Sequence, residues 1–451
     1  MFRATRLLAL ALLVAASSAR AQSSTAVLPA GAVLTNYDRV LIGQEEALES
    51  GAFVARVADS TAGWYNPAGL ALVRRSVIGA SATGYELNIT DLGKVQTSSG
   101  GVSLNQLPSY FGAVLGGDVI ASDKWRIGFS ATKPTSWTAT INGATLAGVD
   151  INYSSSVSIS TLVPTISAAW ALLPTLRVGA GFGVAITSIS QSQILSEGLA
   201  SDGGDNSLLR TAVGTGTTWG GQGSFGVQWD ITDRLVGGIS LRTPTFTIIQ
   251  TGALTYQSVY TDHVGRTSDE RYFNDPNATF TYKLPFNLNF GLAWREPTFD
   301  VEVDMRFHSA IPQYVLLASS EQVHKTVTDA AGNQTTTSEP FPGLTYGAAQ
   351  VWNIAIGGRY QLSEAWSLHG GFYTDLAPTD PSITNVFRSV NLFGLTAGAK
   401  LKGEHLSGSL GLGFSWGSSQ NFDIGQSVAA EGGTRLSILS ITLLYALAYR
   451  F

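Results

Sequence analysis

Asp304, His308 and Ser309 are the nearest this chain comes to a hydrolytic set. Barrel lipases and proteases need a nucleophile, a histidine and an acid on one face, and this trio reads as a chance grouping. The five histidines, His263, His308, His324, His369 and His405, have no metal-ligand spacing. Cysteine is absent, which removes thiolate nucleophiles, disulfides and Cys-based metal sites. The glycine run Gly411 to Gly413 lacks the strand-loop-helix context of a phosphate-binding loop. No catalysis, cofactor or metal is expected.

What remains is binding chemistry. Arg126, Lys133, Arg177, Arg242, Arg306 and Arg359 are the cations that an alternating strand pattern turns inward or close to it. Such a group is what a carboxylate would need. Lys133, Arg242, Arg306 and Arg359 are therefore candidate substrate-binding residues, although Asp304 beside Arg306 favours a structural ion pair. Leu195, Leu199 and Leu208 in a long connector, and Phe53 near the start of the chain, are apolar candidates for substrate binding. A net charge of −5 gives no footprint for nucleic acid.

The elements that hold these residues are strands. Leu439, Ile441, Leu443, Tyr445, Leu447, Tyr449 and Phe451 occupy every second position at the end of the chain. Small or polar residues fill the positions between, which is the signature of a bilayer-spanning barrel strand. Fourteen such segments are expected, near 75–90, 107–119, 125–141, 159–171, 176–192, 217–230, 234–256, 277–293, 299–318, 346–361, 365–378, 389–402, 406–420 and 433–451. Connectors alternate between short turns and longer loops, the loops including 142–158 and 193–216. That asymmetry fits a monomeric, all-β, antiparallel barrel of the outer membrane, with both chain ends on the short-turn side.

Composition agrees. Charged residues are 13% of the chain, against roughly 25% in an average soluble domain. Trp125, Trp170, Trp229, Trp294 and Trp366 each sit within two residues of a short turn, and so form one interfacial girdle. On the ninth strand Phe299, Val301, Val303, Met305 and Phe307 are expected outside, with Asp300, Glu302, Asp304, Arg306 and His308 inside. Trp137 is expected to stay in the outward phase of the third strand.

Residues 1–21 read as a signal peptide: Arg3 and Arg6, an apolar core over Leu7–Ala16, and the Ala19-Arg20-Ala21 cleavage site. Residues 22–74 do not alternate. A fourteen-strand barrel is too wide for its own side chains to fill, so this segment is expected as a partly helical plug inside a barrel of residues 75–451. Within it, Asn66 can open a turn and Pro67 fixes φ.

The stretch Ala58-Asp-Ser-Thr-Ala-Gly-Trp-Tyr-Asn66-Pro67-Ala68-Gly-Leu-Ala71, with Gly51, Ala52 and Ala55 upstream, resembles the plug motif of the FadL family of outer-membrane hydrophobic-compound transporters. Barrels associated with a secretion system carry a similar turn. The resemblance implies capture of a hydrophobic molecule at the outer loops, passage to a pocket above the plug, and exit through a gap in the wall at a kinked third strand. Pro134 interrupts the third strand here, which places the candidate gap at Lys133–Thr135. The fifth strand has Thr187 and Ser188 where some family members carry a carboxylate-binding cation. That leaves neutral aromatic hydrocarbons open beside long-chain fatty acids. Tyr449-Arg450-Phe451 resembles the signal read by barrel-assembly machinery, a transient partner in addition to outer-membrane lipid and lipopolysaccharide. Two other readings stand: a structural or partner-binding barrel, and a general porin with the Asp300–Arg306 charge ladder as its eyelet.

Overall fold

The computed structural model describes residues 34–91, 95–96, 102–120, 122, 124–146, 149–201, 204–380, 382–383, 389–422 and 434–451. The expected signal peptide and residues 22–33 lie outside the described residues.

The wall is a closed antiparallel barrel of fourteen strands. In chain order they are β1 Val77–Asp91, β2 Val102–Leu115, β3 Trp125–Leu146, β4 Val149–Leu173, β5 Leu176–Ser201 and β6 Gly204–Asp230. β7 comprises Leu235–Arg242 and, after a break, Phe246–Asp262. Then follow β8 Asn287–Arg295, β9 Phe299–His308, β10 Val351–Gln361, β11 Trp366–Asp375, β12 Asn391–Lys402, β13 Leu406–Phe422 and β14 Thr434–Arg450. Closure runs from Val77↔Arg450 to Asp91↔Ser437. Phe451 N–H donates to Ser76 at 3.1 Å, so chain end and first strand meet at the short-turn rim. Trp125, Trp170, Trp229, Trp294 and Trp366 are all exposed on the outer face near that rim. The apolar and charged sets of β9 lie outside and inside as the alternation requires.

Three expectations need correction. The loops expected at 142–158 and 193–216 are largely strand, because alternation continues past the bilayer band: β5 and β6 pair without a break up to Ser201↔Gly204.

The eighth, ninth and tenth strands are shorter than expected. Their upper parts leave the wall and form an inner three-stranded sheet of Thr279–Phe280, Ile311–Ala318 and Leu344–Ala348. Pro285 and Pro312 lie where the ladders of β8 and β9 end, and neither can donate a ladder hydrogen bond. The inner sheet buries Phe280, Leu316, Leu317, Leu344 and Tyr346, a set too apolar to stand in water above the membrane.

Trp137 faces the lumen. The β3–β4 register steps from Thr132↔Val163 to Thr135↔Thr161, so β3 carries one extra residue at Lys133–Pro134. A one-residue bulge inverts the face of everything beyond it. Trp137 is consequently 3% exposed, with the Arg39 guanidinium 4.1 Å above its ring.

Candidate functional site

The plug is seated by small gaps in the wall. Residues 34–74 form two short helices, α1 Glu45–Leu48 and α2 Ala62–Tyr65, and a 3-10 segment Pro67–Leu72. Asn66 joins the last two. Its Oδ1 accepts from Ala68 N–H at 3.1 Å, and its Nδ2 donates to the carbonyls of Val54 at 2.8 Å, Val227 at 2.9 Å and Ile239 at 3.3 Å. One amide thus ties two plug segments to β6 and β7. A Cβ on Gly226 would lie 1.9 Å from Asn66 Oδ1, and one on Gly179 would lie 2.4 Å from the Pro67 carbonyl carbon. Inward glycines are therefore the seat of the Asn66-Pro67-Ala68 turn. Gly51 has φ +75°, and its carbonyl accepts from Arg306 at 2.7 Å.

The charge ladder of β9 is spent on the plug. Asp304 Oδ2 accepts from Phe53 N–H at 3.0 Å and Val54 N–H at 3.3 Å. Glu302 accepts from Ala55 N–H at 2.6 Å and from Arg56 Nε at 2.9 Å. Arg56 also pairs with Glu49, whose other oxygen lies 2.6 Å from His369 Nδ1. Lys400 pairs with Glu45, and Arg359 with Asp300. Glu45, Glu49 and His369 converge closely enough to meet one ion. Arg56 and Lys400 already balance the two carboxylates, so the trio serves as a latch between α1 and β11–β12. Burial pushes the Glu45 carboxyl up, but Lys400 outweighs it and brings the group down to about 2. Burial, with Asp59 close by, holds the Glu46 carboxyl well above the usual range.

Between plug and wall lies a small cleft. Tyr37, Trp64, Tyr65, Pro134, Arg242 and Arg306 are among its lining residues. Arg242 lies flat on Trp64, its guanidinium carbon 3.6 Å from the ring centre, and donates to Trp64 O at 2.8 Å. No carboxylate among the described residues lies within ion-pair distance of it. Arg306 is committed differently, with Asp38 at 3.5 Å and Asp304 at 3.9 Å.

Next to this cleft the wall pairing changes. β2 and β3 are bonded from Leu115↔Ile127 to Tyr110↔Thr132 and no further. Higher up, Val95–Gln96 pair with Thr145–Leu146. Between those rungs β3 has no ladder partner on its β2 side among the described residues. Lys133 and Pro134 lie at the lower edge of that window.

The structure thus brings Gly51, Pro134, Arg242 and Arg306 to one cleft, with Lys133 beside Pro134. Asn66, Pro67 and Ala68 lie at the base of the plug. Phe53 is buried in the plug under the Arg56 guanidinium, 4.1 Å from its ring. Arg359 sits toward the short-turn rim, paired with Asp300. Leu195 and Leu208 are on β5 and β6 rather than in a loop, and point into an apolar cluster with Tyr153, Leu254, Phe273 and the inner sheet. The Leu199 side chain lies outside the described residues. Sequence reasoning missed Trp64 and Tyr37. Trp64 stands two residues before Asn66, and that spacing was the available signal.

No family model matches the chain, and no curated protein matches it. Solved structures do. A Pseudomonas aeruginosa FadL homologue superposes with a TM-score of 0.60 at 16% identity, covering 92% of this chain and 100% of that one. The Ralstonia pickettii toluene transporter TbuX gives 0.58 at 14%, covering 91% and 98%. The P. putida toluene transporter TodX gives 0.55 at 15%, covering 91% and 98%. The chain has the FadL-type fold. In this FadL-type barrel the plug, the short-turn rim and the outer-membrane girdle are one architecture. The neighbours' printed activities are those of transporters and channels rather than enzymes.

Proposed function

We propose that this FadL-type barrel carries hydrophobic small molecules inward across the outer membrane by diffusion. The observation that carries the reading is the plug cleft lying beside the window in the β2–β3 ladder. Trp64, Tyr65 and Pro134 line the cleft together with Tyr37, Arg242 and Arg306. A proline in a barrel wall forfeits a ladder bond, so it fits where the wall opens to the membrane rather than where it seals. Exit is sideways at Lys133–Thr135. Toluene-like hydrocarbons, named for two of the neighbours, and long-chain fatty acids are the two candidate cargo classes.

The test is uptake of labelled oleate and of toluene by cells that lack their own transporter and express this barrel. Pro134→Val and Asn66→Ala are compared with the parent at equal surface expression. Transport lost in Pro134→Val, with melting behaviour retained, supports the window. Absence of uptake of both compounds by the well-expressed parent removes the reading.

A second reading has one observation in its favour. The inner sheet fills the outer end of the lumen, as a partner-binding barrel with a capped lumen would require. The porin reading loses its support, because the β9 charge ladder is engaged by the plug instead of lining an open eyelet.

A further inference from the structure

One plug side chain spans the window in the β2–β3 ladder. Arg39 Nη2 donates to Glu86 Oε1 at 2.6 Å, to Asn88 Oδ1 at 3.0 Å and to Ser440 Oγ at 2.9 Å. Glu86 and Asn88 belong to β1, and Ser440 to β14. The guanidinium carbon of the same residue lies 4.1 Å from the Trp137 ring centre on β3. Between β1 and β3 stands β2, the strand from which β3 has parted. Arg39 therefore touches both flanks of the window from the lumen.

The register makes this span specific. β1 holds Glu86 against Asn105 of β2. Counting on from the last β2–β3 rung, Tyr110↔Thr132, sets Asn105 level with Trp137 to within the bulge. That rung is absent among the described residues, while β3 keeps Trp137↔Ile159 on its β4 side. Glu86 and Trp137 thus flank one missing rung. Two separate bulges turn them toward each other. β3 carries its extra residue at Lys133–Pro134, and β1 carries one between Thr83 and Glu86, on both of its edges. Without these insertions the carboxylate and the indole would both face outward.

Arginine suits the task. Its planar guanidinium lies on an indole with one face and donates in its own plane to a carboxylate, a geometry that an ammonium does not offer. The Arg39 and Glu86 side chains are 7% and 8% exposed and Trp137 is 3% exposed, so salt does little to screen the contact. The tie is also coupled to the cleft. Tyr37, Asp38, Val40 and Leu41, on either side of Arg39 in the chain, line the cleft beside Pro134. A molecule that pushes those residues aside pulls on Arg39.

We propose that Arg39 is a positioning residue for the window. It holds the β3 flank to the β1 flank while the cleft is empty, and cargo that displaces Tyr37–Leu41 withdraws it and lets the flanks part. This deepens the lateral-exit reading and rests on it.

The test is a distance across the window. The chain has no cysteine, so Ile89→Cys on β1 and Leu162→Cys on β4, both exposed on the outer face, can carry spin labels. β4 is bonded to β3 along the window and follows it. Double electron–electron resonance reads the separation in the full-length barrel in liposomes. Arg39→Ala and Trp137→Ala should each lengthen it by about 5 Å, one strand spacing. Trp137→Phe keeps a ring under the guanidinium and should retain the parent value. Trp137→Ala leaves Arg39 its partners on β1 and β14, so lengthening there does not come from a loosened plug. Oleate or toluene, whichever cells import, should lengthen the parent's separation and leave that of Arg39→Ala unchanged. Parent-like separations in both alanine variants overturn the proposal. So does a parent that imports a cargo with no change in separation. Lengthening in the variants without import by the parent leaves the tie standing and removes the transport reading instead.

Discussion

Arg242 on β7 rests 3.6 Å above the indole of Trp64 and donates to that residue's carbonyl at 2.8 Å. The contact joins wall to plug through Arg242, which has no carboxylate within ion-pair distance among the described residues. Arg242→Met keeps most of the volume over the ring and removes the charge. Hydrogen bonds to charged groups are worth about 1.5–3 kcal/mol, so oleate uptake should fall by about tenfold or more. Toluene uptake should change little. Equal losses for both cargoes would make Arg242 a strut for Trp64 and nothing more.

Glu49 and Glu46 are near neighbours on the plug with opposite roles. Glu49 is held by Arg56 and His369, all three buried. Glu46 meets Thr61 Oγ1 at 2.8 Å and Gln44 N–H at 2.8 Å, without a basic partner in an ion pair among the described residues. Removing one member of a buried ion pair costs about 3–5 kcal/mol. Glu49→Gln should therefore loosen the plug, read as raised single-channel conductance and faster protease cleavage near Gly51. Glu46→Gln should change either readout far less, because burial already favours the uncharged form there.

Acid should release the plug. Glu45 is lowered from 4.5 to about 2, its pairing with Lys400 outweighing burial. Asp38 is also lowered, burial being outweighed by His308 and then Arg306. A carboxyl depressed in the folded state stabilises it fully above the unfolded pKa, and that stability is lost as pH falls through the folded value. Conductance in planar bilayers should thus be steady at neutral pH and rise below about pH 4.5, toward pH 2. Lys400→Met should abolish most of the Glu45 share of that rise.

Trp137 gives an optical check on the bulge. In single-tryptophan variants reconstituted with brominated lipid, Trp170 fluorescence should be quenched and Trp137 fluorescence spared. Strong quenching of Trp137 would mean that β3 keeps its phase through Pro134.

The wall was legible because alternation is a local signal. From Phe299 to His308 every residue points where its polarity places it. The Asn66 turn was equally visible, since amide and proline chemistry act within a few residues. Trp137 was not legible, because one extra residue at Lys133–Pro134 reverses the face without altering the polarity pattern that precedes it. The inner sheet was hidden for a different reason. Ile311, Val315, Leu316 and Leu317 satisfy a wall strand and a lumenal strand alike, and only the partners Leu344 and Tyr346, well separated in sequence, decide between them. The cleft was invisible because Trp64, Pro134, Arg242 and Arg306 come from four separate stretches of chain.

The seam between β1 and β14 also sets a timetable. The plug leads directly into β1, and its turns fill spaces left by glycines on β5, β6 and β7, strands synthesised long after it. Once Val77 to Asp91 has zipped to β14, Asn66 can reach Val227 and Ile239 only through an end of the barrel. The plug, made before the strands that hold it, must therefore wait, unsatisfied in its buried polar groups, until the middle of the chain has curved around it. Closure of the last ladder then works as a lock turned after the contents are in place.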